Sequence, residues 1–345
     1  MSDLKINNIT DRLGQHGPVI AGVCTVTSTG AFIPPVGDTA HRGGRGRGVF
    51  AGGYDDPSPG ERNVMDYIEI ATTGNAVDFG DLTVARYNVG GFASATRGVF
   101  LGGRKETSPA SNLCVIDHIT ISSSGGASSF GDLGIQIQTL AAASNQVRGL
   151  VAGGRGPDNS ATGVNTIQFV HIATTGDSND FGELTSPLMG VGAVASPSRV
   201  LFAGGYSTPA LTNVIQYVTI ATRGNTADFG DLLAATAYIR GAGNGTRGLL
   251  CGTGAPASGT NVIQYVTIAT TGNATNFGDL DASRTLSSAT SNSVRGVWGG
   301  GANPSRLTQI DYVTIATTGD AQDFGDLTLD RSSLAACGDA TGGLG

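Results

Sequence analysis

The chain has 345 residues, a formal net charge of −7, 55 glycines and only 14% charged residues. That composition excludes a long helical protein, which would be rich in Ala, Glu, Lys and Leu. It also excludes a duplex binder, which needs a basic stripe to displace counterions. No apolar run approaches the ~20 residues that span a bilayer, so neither nucleic acid nor membrane is an expected partner.

Residues 1–45 come first and stand outside the pattern that follows. Their apolar positions, Ile6, Ile9, Val19, Ile20, Val23, Phe32 and Ile33, alternate with polar ones and end at Pro34 and Pro35. A Gly- and Arg-rich hinge, His41 to Arg47, comes next. Such a segment cannot bury a core of its own, so it is expected to be an extended arm, paired either with another protein or with the following domain. The polar start lacks the apolar stretch of a signal peptide, which places synthesis in a cytoplasm. Four cysteines are too few for a disulfide scaffold.

From residue 46 to residue 345 the chain is a six-fold repeat. A Phe-Gly-acid-Leu block begins at Phe79, Phe130, Phe181, Phe229, Phe277 and Phe324, with spacings of 51, 51, 48, 48 and 47 residues. A second marker, mostly Arg-Gly-apolar-apolar-x-Gly-Gly, begins at Arg47, Arg97, Arg148, Arg199, Arg247 and Arg295. Each unit reads as a strand b at the arginine marker, a polar loop, and a strand c such as Asn213 to Ile220. A Thr-Thr-Gly-Asn/Asp turn and a strand d at the phenylalanine block follow, then a less regular strand a that opens the next unit. Strand c is apolar on both faces, with Val214, Val218 and Ile220 on one and Ile215 and Tyr217 on the other. It is therefore expected to be buried on both sides. Small sheets stacked radially satisfy this, so the predicted fold is all-β, a six-bladed β-propeller. The last unit ends in a strand a with no strand b after it, and the first strand b lacks a strand a before it. The C-terminal tail, residues 330–345, is expected to pair beside residues 47–53 and close the ring, removing an exposed edge.

The double glycines at Gly52-Gly53, Gly102-Gly103, Gly153-Gly154 and Gly204-Gly205 resemble those of kelch repeats. So do the tyrosines at Tyr67, Tyr217, Tyr265 and Tyr312, while Phe79 and its equivalents stand where that family usually has tryptophan. The segments Leu4 to Arg12, Gly17 to Val23 and Ser28 to Pro35, with the Ala-Thr-Thr-Gly-Asn-Ala-x-Asp-Phe-Gly-Asp-Leu units, resemble structural proteins of tailed bacteriophages of marine cyanobacteria. That resemblance implies a virion component made in the host cytoplasm, on the tail or capsid surface. Its arm would attach it to other virion proteins, and symmetry matching would make it a homo-oligomer on the particle.

Reactive groups are sparse. His118 sits in the tyrosine slot of strand c and His171 in a threonine slot, and they are expected on different faces of different blades. Cys114, Cys251 and Cys337 are scattered, so no zinc cluster is expected. The paired acids of the phenylalanine block recur in most units, and a structural job as turn and strand-end acceptors fits better than calcium binding. Neither catalysis nor a cofactor is expected. A kelch-type oxidase would need copper ligands and a polysaccharide hydrolase a paired-carboxylate cleft. Recognition is expected instead in the loops that vary between units, those between strands b and c. Tyr54, Arg104, Lys105, Arg155, Tyr206 and Arg306 are the candidate contacts, for a protein, a host-surface receptor or a glycan.

Overall fold

The computed structural model describes residues 46–106, 111–159, 161–253 and 259–339, together with the backbone of two short strands, Val19–Ile20 and Cys24–Thr25. The chain divides into two compact units, Met1–Ala40 and His41–Gly345. In the first, Val19–Ile20 pairs antiparallel with Cys24–Thr25. Ile6, Ile9, Val23, Phe32 and Ile33 of the expected arm lie outside the described residues.

The second unit is a six-bladed β-propeller, each blade a four-stranded antiparallel sheet in the order a-b-c-d. Blade 1 is built from both ends of the repeat: strand a is Ala335–Gly338, b Arg47–Ala51, c Val64–Glu69 and d Val77–Asp81. Cys337 pairs with Val49 and Ala335 with Ala51, the expected closure in register. Strands a of blades 2 to 6 are Gly90–Ala93, Ala141–Ser144, Gly192–Ala195, Ala237–Gly243 and Ser288–Ser291. These six strands are innermost and line the axial channel. Where they converge, each contributes a small residue: Ala336, Gly91, Ala142, Ala193, Gly241 and Ala289.

There is no single core. Six apolar clusters lie one between each pair of neighbouring blades. The phenylalanine and leucine of each d strand insert into the next blade. Phe79 and Leu82 of blade 1 pack with Phe100, Ile119 and Ile121 of blade 2. Phe324 and Leu327 of blade 6 pack with Phe50, Ile68 and Ile70 of blade 1. Burying a side chain of this size contributes about 1.5–3 kcal/mol, and the sum closes only when the ring does.

The two repeated markers are inter-blade fasteners. The arginine that opens each strand b donates to a carbonyl at the end of strand c in the following blade. Arg97 Nη1 reaches Ile172 O at 2.8 Å and Arg247 Nη1 reaches Ile315 O at 2.8 Å. Arg295 of blade 6 reaches Ile70 O of blade 1 at 3.1 Å, which completes the circle. In every blade but the second, where Arg97 lies over Phe130, the same guanidinium lies over the ring in the tyrosine slot, at 4.4 Å for Arg47 on Tyr67 and for Arg295 on Tyr312. That tyrosine in turn meets the d-strand phenylalanine edge-on, Tyr67 on Phe79 at 6.0 Å. Below them, the glycine of each c–d turn donates to the phenylalanine carbonyl of the preceding blade, as Gly125 N does to Phe79 O at 2.7 Å.

One expectation is narrowed and one corrected. Acids of the phenylalanine block do accept, as Asp326 does from Thr308 Oγ1 at 2.7 Å, but across the turns the acceptor is the Asn or Asp of the turn itself: Asp177 accepts from Asp132 N at 2.9 Å and Asn273 from Asp231 N at 3.0 Å. His118 and His171 occupy slots two residues apart along strand c, so they share a face. They remain in separate blades, against Phe130 and Phe169.

A third repeated feature lies between strands b and c. Arg331 pairs with Asp66 at 2.7 Å, Arg86 with Asp117 at 3.0 Å, and Arg284 with Asp311, all fully buried. These are blades 1, 2 and 6. In blades 3, 4 and 5 the arginine slot holds Ile137, Leu188 and Thr236, and the aspartate slot holds Gln168, Gln216 and Gln264. Charge is placed in both slots or in neither.

Candidate functional site

The b–c loops and the d–a connections emerge on one face of the propeller, where they surround a cavity of about 440 Å³ at the mouth of the channel. The double glycine at the end of strand b shapes its rim. Gly52 and Gly53 hold φ of +64° and +112°, and a Cβ on Gly52 would stand 2.7 Å from Arg86 O. Only glycine tolerates both the conformation and the approach.

The innermost ring of the mouth is formed by one left-handed residue per blade: Asn88, Thr139, Gly190, Tyr238, Leu286 and Ser333, with φ between +55° and +65°. Five of these six are not glycine, at a cost of about 1–2 kcal/mol each. A belt of backbone bonds holds them: Asn88 N donates to Ser333 O, Thr139 N to Asn88 O, Gly190 N to Thr139 O, and Ser333 N to Leu286 O. Blade 5 departs. Thr253 stands in the second glycine slot of its strand b, which runs on as Arg247–Thr253. Thr253 pairs with Ala237, and the register of strand a slips between Ala237 and Arg240. Here Ile239 N, not Tyr238 N, donates to Gly190 O, at 3.4 Å.

Of the six candidate contacts, Tyr54, Arg155 and Arg306 line the mouth. Tyr54 packs edge-on against Tyr87 at 5.2 Å, and both hydroxyls donate to Glu106, at 3.2 and 2.9 Å. Burial, reinforced by that bond to Glu106, pushes the Tyr87 hydroxyl pKa up, so it stays a donor. Arg306 lies over the Tyr54 ring at 5.3 Å. Arg155 Nε donates to Asn159 O at 2.7 Å. Asn88 Nδ2 donates to Gln138 Oε1 at 2.9 Å. The other three candidates lie outside the lining. Arg104 donates to Asn159 Oδ1 at 3.3 Å, Lys105 sits with it in a short strand paired with Ser111–Asn112, and Tyr206 pairs through its backbone with Met189.

Sequence reasoning missed Tyr87, Glu106, Gln138 and Tyr238, which also line the mouth. Tyr87 and Gln138 belong to d–a connections, which lead into the innermost strand, and Tyr238 to the start of strand a of blade 5. Among the described residues no group of three or more His, Cys, Asp or Glu is placed to hold a metal ion. Burial raises the thiol pKa of Cys251 to about 12 and that of Cys337 higher still, so both remain protonated thiols. The mouth therefore offers aromatic faces, amides, two guanidinium groups and one carboxylate around a concave space of ligand size. No protein-family model matches the chain, and no curated protein matches it either.

Proposed function

We propose that this chain is a recognition protein without catalytic activity, a kelch-like structural component of a tailed-phage virion. Its propeller is displayed on the tail or capsid, residues 1–45 attach it to other virion proteins, and the mouth binds a host-surface ligand. The observation that carries the reading is the division of labour within the repeat. The invariant positions fasten blade to blade, whereas the varied ones converge on a single cavity at the mouth. A frame with one individual face fits a display scaffold.

Three tyrosines, Tyr54, Tyr87 and Tyr238, beside Asn88, Gln138 and Arg155, favour a sugar of a surface glycan over a flat protein epitope. A glycan array probed with the full chain tests this. Retained glycans should be lost with Tyr54→Ala and Arg155→Ala, and equal signals from variants and parent would refute the mouth as the site. Separately, antibody against the propeller should decorate assembled particles, and confinement of the chain to the unassembled fraction would refute the virion role.

A further inference from the structure

We infer that the floor of the mouth is an anion site built on Arg240, so that the ligand carries a carboxylate, as an acidic sugar does. This rests on the mouth being the ligand site. Just beneath the ring of left-handed residues, the channel narrows into a second cavity of about 70 Å³, walled by Val89, Leu140, Val191 and Ile239 and small residues. Arg240 lines it. The corresponding position of the other strands a is Ala335, Gly90, Ala141, Gly192 or Ser288, as their shared register against strand b shows. One blade in six has placed a guanidinium where the rest have almost nothing.

The deeply buried arginines of the propeller, Arg86, Arg284 and Arg331, each have an aspartate, whereas Arg240 is partly exposed to the channel. Arg240 has none among the described residues. Its one hydrogen bond runs from Nη1 to the carbonyl of its own neighbour, Ile239, at 3.0 Å. Burial lowers its pKa to about 10, which still leaves it charged at neutral pH. A half-buried cation without a counter-charge carries part of the desolvation cost of a buried one, and a fold that already uses alanine or glycine in this slot has no structural need for it. The surroundings point the same way. Arg155 and Arg240 both act electrostatically on the Tyr238 hydroxyl. Because Tyr238 lines the mouth and Arg240 the cavity beneath, a carboxylate entering from above meets Arg155 at the wall, the Tyr238 hydroxyl as donor, and Arg240 at the floor. The register of this strand slips just before Arg240, between Ala237 and Arg240.

The test is calorimetric titration of the full chain with glucuronate and with glucose, which differ at one carbon, in the parent and in Arg240→Ala. Alanine already fills this slot in blades 1 and 3, so the variant should fold, with a ligand-free melting temperature at or above that of the parent. The parent should bind glucuronate about tenfold or more tighter than glucose, the scale of one charge-assisted bond. Arg240→Ala should lose that preference. Equal binding of the two sugars by the parent, or a preference that survives in Arg240→Ala, overturns the anion site and leaves the mouth a neutral-ligand site. If neither sugar binds, the sugar reading of the mouth fails, and sodium acetate decides the rest. Acetate raising the melting temperature of the parent above its effect on Arg240→Ala supports the anion site, and an equal effect on both overturns it.

Discussion

The exchange of a buried ion pair for a neutral pair between blades gives a quantitative experiment inside one molecule. Arg331 and Asp66 are both fully buried and 2.7 Å apart. Arg331 also donates to Gly52 O at 2.9 Å and Val64 O at 2.6 Å, and Asp66 accepts from Thr328 Oγ1 at 2.5 Å. Arg331→Leu strands a carboxylate without its counter-charge and removes the guanidinium donor from Gly52 O, while Val64 O keeps its bond from Gly52 N at 3.0 Å, a loss of about 3–5 kcal/mol. Asp66→Gln alone strands the guanidinium and should cost a similar amount. The double variant reproduces the pair of slots found in blade 4, Leu188 and Gln216, where Gln216 Oε1 accepts from Thr185 N at 2.9 Å and Thr226 Oγ1 at 2.5 Å. It should lie within about 2 kcal/mol of the parent, because desolvating neither charge offsets losing their attraction. Guanidinium unfolding reads the difference. Trp298, the single tryptophan and wholly buried, supplies the fluorescence signal. Coincidence of that signal with circular dichroism licenses the free-energy comparison. A double variant as unstable as the two single losses added together would refute the argument.

Three further outcomes are expected. Burial, and then the neighbouring Arg97, lowers the pKa of His118, so the unfolded chain takes up a proton there more readily than the folded one. Stability should therefore rise with pH between the lowered value and the usual histidine range. His118→Tyr, which restores the residue of Tyr67, Tyr217, Tyr265 and Tyr312, should flatten that segment of a stability–pH curve, whereas an unchanged curve would count against the assignment. Arg295→Ala removes both the bond to Ile70 O and the stacking on Tyr312, and urea melts should show a loss of about 1–2 kcal/mol. No loss would mean that the arginine marker does not fasten blades. Truncation after Asp330 removes strand a of blade 1, strands Asp66 and bares the edge of Arg47–Ala51, so cooperative unfolding should disappear and light scattering should rise. An unaltered melting temperature would contradict closure through that strand.

The propeller was legible in the sequence because its most repeated residues are those that touch the next blade. Arg47 and Phe79 recur with their equivalents for that reason, and a blade interface repeats as faithfully as the blade. The buried ion pairs were equally present as text. Arg86, Arg284 and Arg331 keep step with Asp117, Asp311 and Asp66, but the pairing shows only when units are compared for what changes together. The mouth was half legible. Tyr54, Arg155 and Arg306 follow from the variability of the b–c loops, whereas Tyr87 and Tyr238 do not, since no pattern along the chain reports distance from an axis. Blade 5 illustrates the limit: one glycine-to-threonine difference at position 253 accompanies a register slip between Ala237 and Arg240, the stretch that holds Tyr238.

The shared blade has a mechanical consequence. Strand Arg47–Ala51 is gripped on one side by Ala335–Gly338 and on the other by Val64–Glu69. Its hydrogen bonds run perpendicular to its length. Tension applied at Arg47 along the strand therefore loads both ladders in shear, so that their bonds resist together, whereas a pull on an outer strand would peel them one by one. A load applied at Arg47 would be carried by the one strand whose blade is built from both ends of the ring.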